Sequence, residues 1–176
     1  MAKLHNYKTT FSKRRTVAVS VNNDSEVIVK APFGTNERFI DSFVERHSGW
    51  IEAQLAKMEA RQKMPPLSPA DIEALRHDAR QSILKYVTYW ADIMNVKPTG
   101  IKITSAKSRW GSCSWKNVLC FPYRIMLLPP ELIECIVVHE LAHIKIKNHS
   151  REFYSAIESI MPDYKKRAKM LKNFAL

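Results

Sequence analysis

The sequence predicts an α+β fold in which a small antiparallel sheet packs on helices. Three observations lead there. Near the N-terminus valines alternate with other residues on one side of a turn, and a β-favouring run follows it, as in a β-hairpin. From Glu37 the apolar period changes to that of a helix. Towards the C-terminus, VVHELAHIKIKNH (residues 137–149) sets two histidines and a glutamate inside an otherwise apolar helical run.

The hairpin lies in RRTVAVSVNNDSEVIVKAP. Val17, Val19 and Val21 share one face, NNDS forms the turn, and Val27 to Val29 resumes β-favouring residues. Pro32 and Gly34 end it. Next, Ile40, Phe43, Val44, His47, Ile51, Leu55 and Met58 fall on one helical stripe. The break at MPPLSP (64–69) separates an N-terminal hairpin-plus-helix segment, 1–64, from a core, 65–176; together they are expected to make one compact unit. Ser68 followed by Pro69 reads as an N-cap and first helical residue. That helix should run to Asn95 with Ile72, Leu75, Ala79, Leu84, Val87, Ala91 and Met94 facing inward.

After KPTG the pattern is β again. Ile101 and Ile103 alternate, then SRWGSC and VLCF follow with WKN as a turn, which predicts three short antiparallel strands within 101–128. LLPPELIECIVVHELAHIKIK is a helix opened at Pro129 or Pro130, with Glu131 in its first turn. Another begins near Ser150, with Phe153, Ala156, Ile157 and Ile160 as its apolar stripe, and Pro162 opens a last, basic helix.

Composition narrows the function classes. The 176 residues are 45% hydrophobic, enough for a packed core. No apolar run approaches the ~20 residues that span a bilayer, and the polar, basic start has no signal-peptide h-region. Three cysteines, an odd count, favour reduced thiols and a cytoplasmic location. Lys plus Arg total 28 against 17 acids, a net charge of +11, which favours anionic partners: nucleic acid, nucleotides or an anionic surface. A basic surface kept for solubility accounts for the charge equally well, since no nucleic-acid-reading motif accompanies it.

His139 and His143 stand four positions apart, on one face of a helix about a turn from each other. Both imidazoles can then reach one ion at the ~2.0–2.1 Å of Zn–N bonds. Glu140, adjacent to the first, is placed to take a proton from water rather than to bind the metal. Two histidines make a poor catalytic zinc site, so a third ligand is needed, and His149 is the leading candidate. On a continuous helix six further residues would mean ~600° of rotation and ~9 Å of rise, which points it away. It can ligate only if the helix stops and the chain folds back. Its spacing equals that of the H-E-x-x-H-x-x-G-x-x-H motif, but Ile146 stands at the glycine position. The turn is therefore expected near Asn148, which tolerates a left-handed conformation, with Ser150 capping the next helix.

These blocks carry a resemblance. LLPPELIECIVVHELAHIKIKNHSREFY and KSRWGSCS resemble the YgjP-like metal-dependent hydrolase family, itself similar to SprT-like and other gluzincin-type metallopeptidase domains. The likeness extends back through AVSV, VIVKAP and FVERHSGWI. It implies a zincin-like core with an antiparallel sheet over the H-E-x-x-H helix, zinc ligands at His139, His143 and His149, and a catalytic Glu140. Tyr154 departs from the family's usual tryptophan, and CFPYRIM from its usual Asn-containing strand; either can alter the pocket.

Around that centre, SRWGSC is expected to form a strand beside the site, where zincins hold substrate by main-chain pairing. Arg109 is a candidate for binding an anionic substrate group or stabilising an oxyanion, against a structural ion pair. Trp110 reads as core, and Gly111 as a point of close backbone approach. Cys113 and Cys120 are better read as free thiols than as thiolate ligands. His5, His47 and His77 have no partner pattern. Tyr123, Tyr154 and Tyr164 are candidate transition-state donors, and Glu152, Asn148 and Asp163 candidates for orienting a ligand histidine. The expected function is zinc-dependent hydrolysis of a peptide bond, with another divalent ion as the alternative metal. Two other functions compete: hydrolysis of an anionic substrate such as a nucleoside triphosphate, and a nucleic-acid-associated module with structural zinc.

Overall fold

The computed structural model describes residues 6–22, 24–60, 62–63 and 65–175. His5 and part of the NNDS turn lie outside them. Among the described residues the chain divides into two compact units that meet in sequence at residues 62 and 63.

The first unit is a three-stranded sheet with two helices. β2 (Ala18–Val21) and β3 (Val27–Pro32) form the expected antiparallel hairpin, with Ala18 opposite Lys30 and Val21 opposite Val27. The Asn22 side-chain oxygen closes its turn by accepting from the backbone of Asp24 and Glu26. β1 (Tyr7–Ser12), which the sequence reading did not anticipate, lies parallel to β3 on its other edge. YKTTFS is β-favouring, but its partner is remote and most of its side chains are exposed, so no buried alternation announces it. The single helix expected from Glu37 to Met58 is two: α1 (Glu37–Arg46) and α2 (Ser48–Glu59). His47 breaks it at φ −106°, ψ 10°, its ring tilted against that of Phe43 with centroids 4.3 Å apart and its Nδ1 2.7 Å from the Phe43 carbonyl. Ser48 and Gly49 follow, neither a strong helix former. Ile40, Val44 and Ile51 still share the buried side, packed with Val27, Val29 and Ala31.

A two-residue strand, β4 (Gln62–Lys63), precedes α3 (Pro69–Met94), the longest helix of the second unit. α3 starts as expected. The Ser68 hydroxyl accepts from the Asp71 amide at 3.2 Å, and Asp71 accepts from the Ser68 amide at 2.9 Å, a capping box that satisfies two orphan donors. Asn95, at φ 49°, ends it in the left-handed region. One inward assignment needs correction: Leu84 is exposed, and Ile83 takes the core position between Ala79 and Val87. Both fit a helical stripe, and only the direction of the packed core distinguishes them.

The second sheet has the order β5 (Gly100–Thr104), β7 (Val118–Pro122), β6 (Ser112–Cys113). β6 and β7 form the expected antiparallel turn at WKN, with Asn117 left-handed at φ 59°. β5 runs parallel to β7, so the sheet is mixed rather than wholly antiparallel. Residues 105–117 lie between these two strands, long enough for the return that a parallel pair requires. A 3-10 helix, Tyr123–Leu127, leads into α4 (Pro130–Lys145), then α5 (Arg151–Ile160), α6 (Tyr164–Leu171) and the short strand β8 (Phe174–Ala175). α4 is buried along most of its length, its Leu132, Val137, Val138 and Leu141 packing with Ile83, Phe121, Phe153 and Ile157 in one core. Segregated strands and helices make the class α+β. No helix among the described residues is long and apolar enough to cross a membrane.

The capping box predicts that Ser68→Ala lowers unfolding free energy by about 1 kcal/mol. A lowered urea midpoint at unchanged m-value would show it; an unchanged midpoint would mean that the cap contributes nothing.

Candidate metal centre

His139, Glu140 and His143 enter the site from the last two turns of α4. The helix then ends at Lys145, and Ile146 leaves it extended at φ −126°, ψ 105°. The helix breaks at Ile146, the position glycine holds in the extended motif, and the chain bends at Asn148, where the turn is expected, although Asn148 is not among the left-handed residues. Ser150 caps α5 as expected, accepting from the Phe153 amide at 3.3 Å. Between these points the chain doubles back and brings His149 to the other two histidines.

One ring nitrogen from each of His139, His143 and His149 lies within 4.8 Å of the others. His149 Nε2 stands 3.0 Å from His139 Nε2 and 3.2 Å from His143 Nε2. Ligand nitrogens ~2.0–2.1 Å from one tetrahedral ion stand about 3.3 Å apart, so the spacing suits such an ion. The remaining nitrogens bear on the protonation states. His143 Nδ1 is 2.9 Å from the Ile146 carbonyl, which can only accept; Nδ1 therefore carries the hydrogen and Nε2 the lone pair. His139 Nδ1 is 2.8 Å from the Tyr164 hydroxyl, a partner able to accept the same way. Burial pushes the His139 pKa down to about 3, aided by the neighbouring histidines, and burial lowers that of His143 as well. Neutral imidazoles with converging lone pairs repel one another unless a cation lies between them, and this donor set fits a divalent metal.

Phe153, fully buried on α5, touches all three rings. His143 stacks on it with centroids 4.4 Å apart, while His139 and His149 meet its ring at 5.0 and 5.1 Å. α6 is held against α4 by Arg167, which donates to Glu134 at 2.8 Å, to Asp163 at 2.8 Å and to the Glu131 carbonyl at 3.0 Å. Lys147 ties the returning loop to the β6–β7 turn, donating to Asn117 Oδ1 at 2.6 Å and the Ser114 carbonyl at 3.1 Å.

Glu140 is buried, and burial pushes its pKa up to about 7, partly opposed by the Arg109 charge. Gly111 lies directly over it: a Cβ there would stand 2.6 Å from Glu140 Oε1. The close approach expected of Gly111 is therefore to Glu140, and any side chain at 111 would displace the carboxylate. Arg109 is exposed, near enough to act on Glu140 through its charge. Tyr154 is partly exposed beside His149, their ring centroids 6.2 Å apart.

Several sequence candidates lie elsewhere. Tyr123 is buried in the core with the Arg124 guanidinium over its ring. Asp163 pairs with Arg167, and the partners seen at the second nitrogens of His139 and His143 are Tyr164 and a backbone carbonyl, not Asp163, Glu152 or Asn148. Cys113, Cys120 and Cys135 are all free. His47 belongs to the α1–α2 junction, and His77 pairs with Gln81. Nothing local in the sequence marks the place of Tyr164 behind His139, of Lys147 at the returning loop or of Phe153 as a floor to the site. The apolar spacing of α5 signalled that Phe153 would be buried, but not what it would be buried against.

A buried H-E-x-x-H helix beside a small sheet, with a third histidine folded back onto it, defines a metal-dependent hydrolase of metallopeptidase type. The chain belongs to the YgjP-like family: the family model described as YgjP-like, metallopeptidase domain, matches residues 15–75 and 69–174. It is also similar to two solved archaeal structures. One is the metallopeptidase zymogen abylysin of Pyrococcus abyssi, at 22% identity and a TM-score of 0.46, over 51% of this chain and 91% of that one. The other is the zymogen jannalysin of Methanocaldococcus jannaschii, at 24% identity and a TM-score of 0.43, over 50% and 94%. No curated protein matches the chain.

If the Tyr164 hydroxyl orients His139, Tyr164→Phe should weaken binding of Zn²⁺ by about 10–100-fold in a chelator-competition titration, with the far-UV circular dichroism unchanged. Unaltered affinity would leave the hydroxyl no part in metal binding.

Proposed function

We propose that the chain is a zinc-dependent peptidase in which His139, His143 and His149 hold the metal and Glu140 is the general base. The convergence of three Nε2 atoms beside a buried carboxyl is the observation that carries this reading. Zinc bound there would supply Lewis acidity and lower the pKa of a water molecule towards neutrality. Glu140 takes a proton from the attacking water and later passes it to the leaving amine. Burial raises the Glu140 pKa and so makes its carboxylate a stronger base, while a divalent ion beside it would keep that carboxylate ionised. Gly111 leaves space for the carboxylate, and burial around it limits competing solvent. Arg109 draws the Glu140 pKa down, and its charge near that carboxyl supports a role in stabilising negative charge on the substrate.

Hydrolysis of a nucleoside triphosphate is the second reading, favoured by the net charge of +11 and by Arg109 beside Glu140. A nucleic-acid-associated module with structural zinc is a weaker third, because such a module has no use for a base and usually closes its site with a fourth protein ligand.

Glu140→Gln should keep one zinc per chain and lose at least about 10²-fold in kcat. Full activity in that variant would remove Glu140 from the chemistry. His149→Ala should bind zinc markedly more weakly; unchanged stoichiometry and affinity would take it out of the ligand set. The zinc-loaded protein assayed on a peptide library and a nucleoside triphosphate panel separates the substrates. Cleavage of peptides, abolished by chelation and restored by zinc, is expected. Turnover of triphosphates alone, lost in Glu140→Gln, would replace the peptidase reading with the second.

A further inference from the structure

A partly open cavity of about 220 Å³ adjoins Glu140 and His139. Its position follows from helix periodicity. On α4, Cys135 and Ile136 stand one turn before His139 and Glu140 and so share their face. On α6, Ala168 and Leu171 follow Tyr164 at the same periodicity and form the opposite wall. Trp110 and Gly111, from the loop before β6, complete it. We propose that this cavity is the subsite for one apolar side chain of the substrate, on a residue bordering the cleaved bond. The inference rests on the peptidase reading and names the class of peptide that it would cleave.

Chemistry and size both select that occupant. Apart from His139 and Glu140 at its catalytic end and Tyr164 behind His139, the walls are apolar or thiol. Burial pushes the Cys135 pKa up to about 12, so this wall is an uncharged thiol at neutral pH. Among the described residues no lysine or arginine lines the cavity, so none of them would pair with a phosphate there. An apolar cavity of ~150 Å³ accepts benzene, so about 220 Å³ has room for a leucine, methionine or phenylalanine side chain. Pockets that enclose whole drug-sized ligands begin near ~300 Å³, so this one suits a single side chain better than a whole ligand. A side chain seated between Ile136 and Leu171 would set the backbone that carries it beside Glu140, so that occupancy of the cavity and alignment of the bond become one event.

The zinc-loaded enzyme and a library randomised on both sides of the cleaved bond test this. At one position next to that bond, Leu, Met and Phe should exceed Asp, Lys and Gly by at least about tenfold in kcat/KM. Ala168→Phe, which fills the cavity from α6, should shift that preference to Ala or Gly; Leu171→Ala, which enlarges it, should shift it towards Trp. Independently of turnover, N-acetyl-leucinamide should perturb the Ile136 and Leu171 methyl resonances in an NMR titration, and N-acetylglycinamide should not. Peptides cleaved with no such preference, or with a preference that neither variant changes, would overturn the subsite and leave the peptidase reading intact. Triphosphate turnover without peptide cleavage would overturn both. Equal methyl shifts with the two amides would also count against the subsite.

Discussion

The hydrogen bond from His143 Nδ1 to the Ile146 carbonyl, 2.9 Å long, joins the chemistry of the site to the end of a helix. Ile146 can accept it because it has left α4 in an extended conformation. Had α4 continued, His149 would point away from the other histidines. One bond thus keeps the His143 Nε2 lone pair free and accompanies the turn that returns the third imidazole. The rest of the site depends on that turn: Ser150 restarts the helix, and α5 brings Phe153 under all three rings.

Polar groups in this setting need support. Glu140 and His143 are the buried polar residues of a core otherwise made of apolar side chains. Desolvation accounts for the direction of their shifts, the carboxyl raised and the imidazole lowered. Both shifts favour the uncharged forms, whereas a bound divalent ion would favour the carboxylate anion of Glu140. The fold answers with contacts between distant segments: Tyr164 on His139, Arg167 across α4 and α6, Lys147 across the loop and the β6–β7 turn, and Gly111 over Glu140. None is adjacent in sequence to the group it supports.

The differences between expectation and structure share a cause. Stripe counting placed Leu84 inward, yet Ile83 is the buried neighbour, because adjacent apolar residues satisfy one stripe equally well. The helix from Glu37 kept its apolar stripe across His47 while the backbone broke there, since periodicity reports side chains and not continuity. β5 pairs parallel with β7, a choice made by the return of residues 105–117 and not by strand composition. The chain bends at Asn148 as expected, but without the left-handed conformation, because Ile146 has already left the helix in an extended conformation that any residue can adopt.

The sequence alone determined what rests on local spacing. A spacing of four positions from His139 to His143 puts both on one helical face whatever surrounds them, and Ser68, Pro69 and Asp71 specify a helix start within four positions. Tertiary structure decided what depends on partners far along the chain. Tyr164 reaches His139 from 25 residues away, and Gly111 meets Glu140 from another element. The apolar cavity exists only where α4, α6 and the Trp110 loop face one another. Such meetings leave no local signature, because a hydrogen-bond partner or a close backbone approach is defined by distance in space, while spacing in sequence records only the direction in which each side chain leaves its own element.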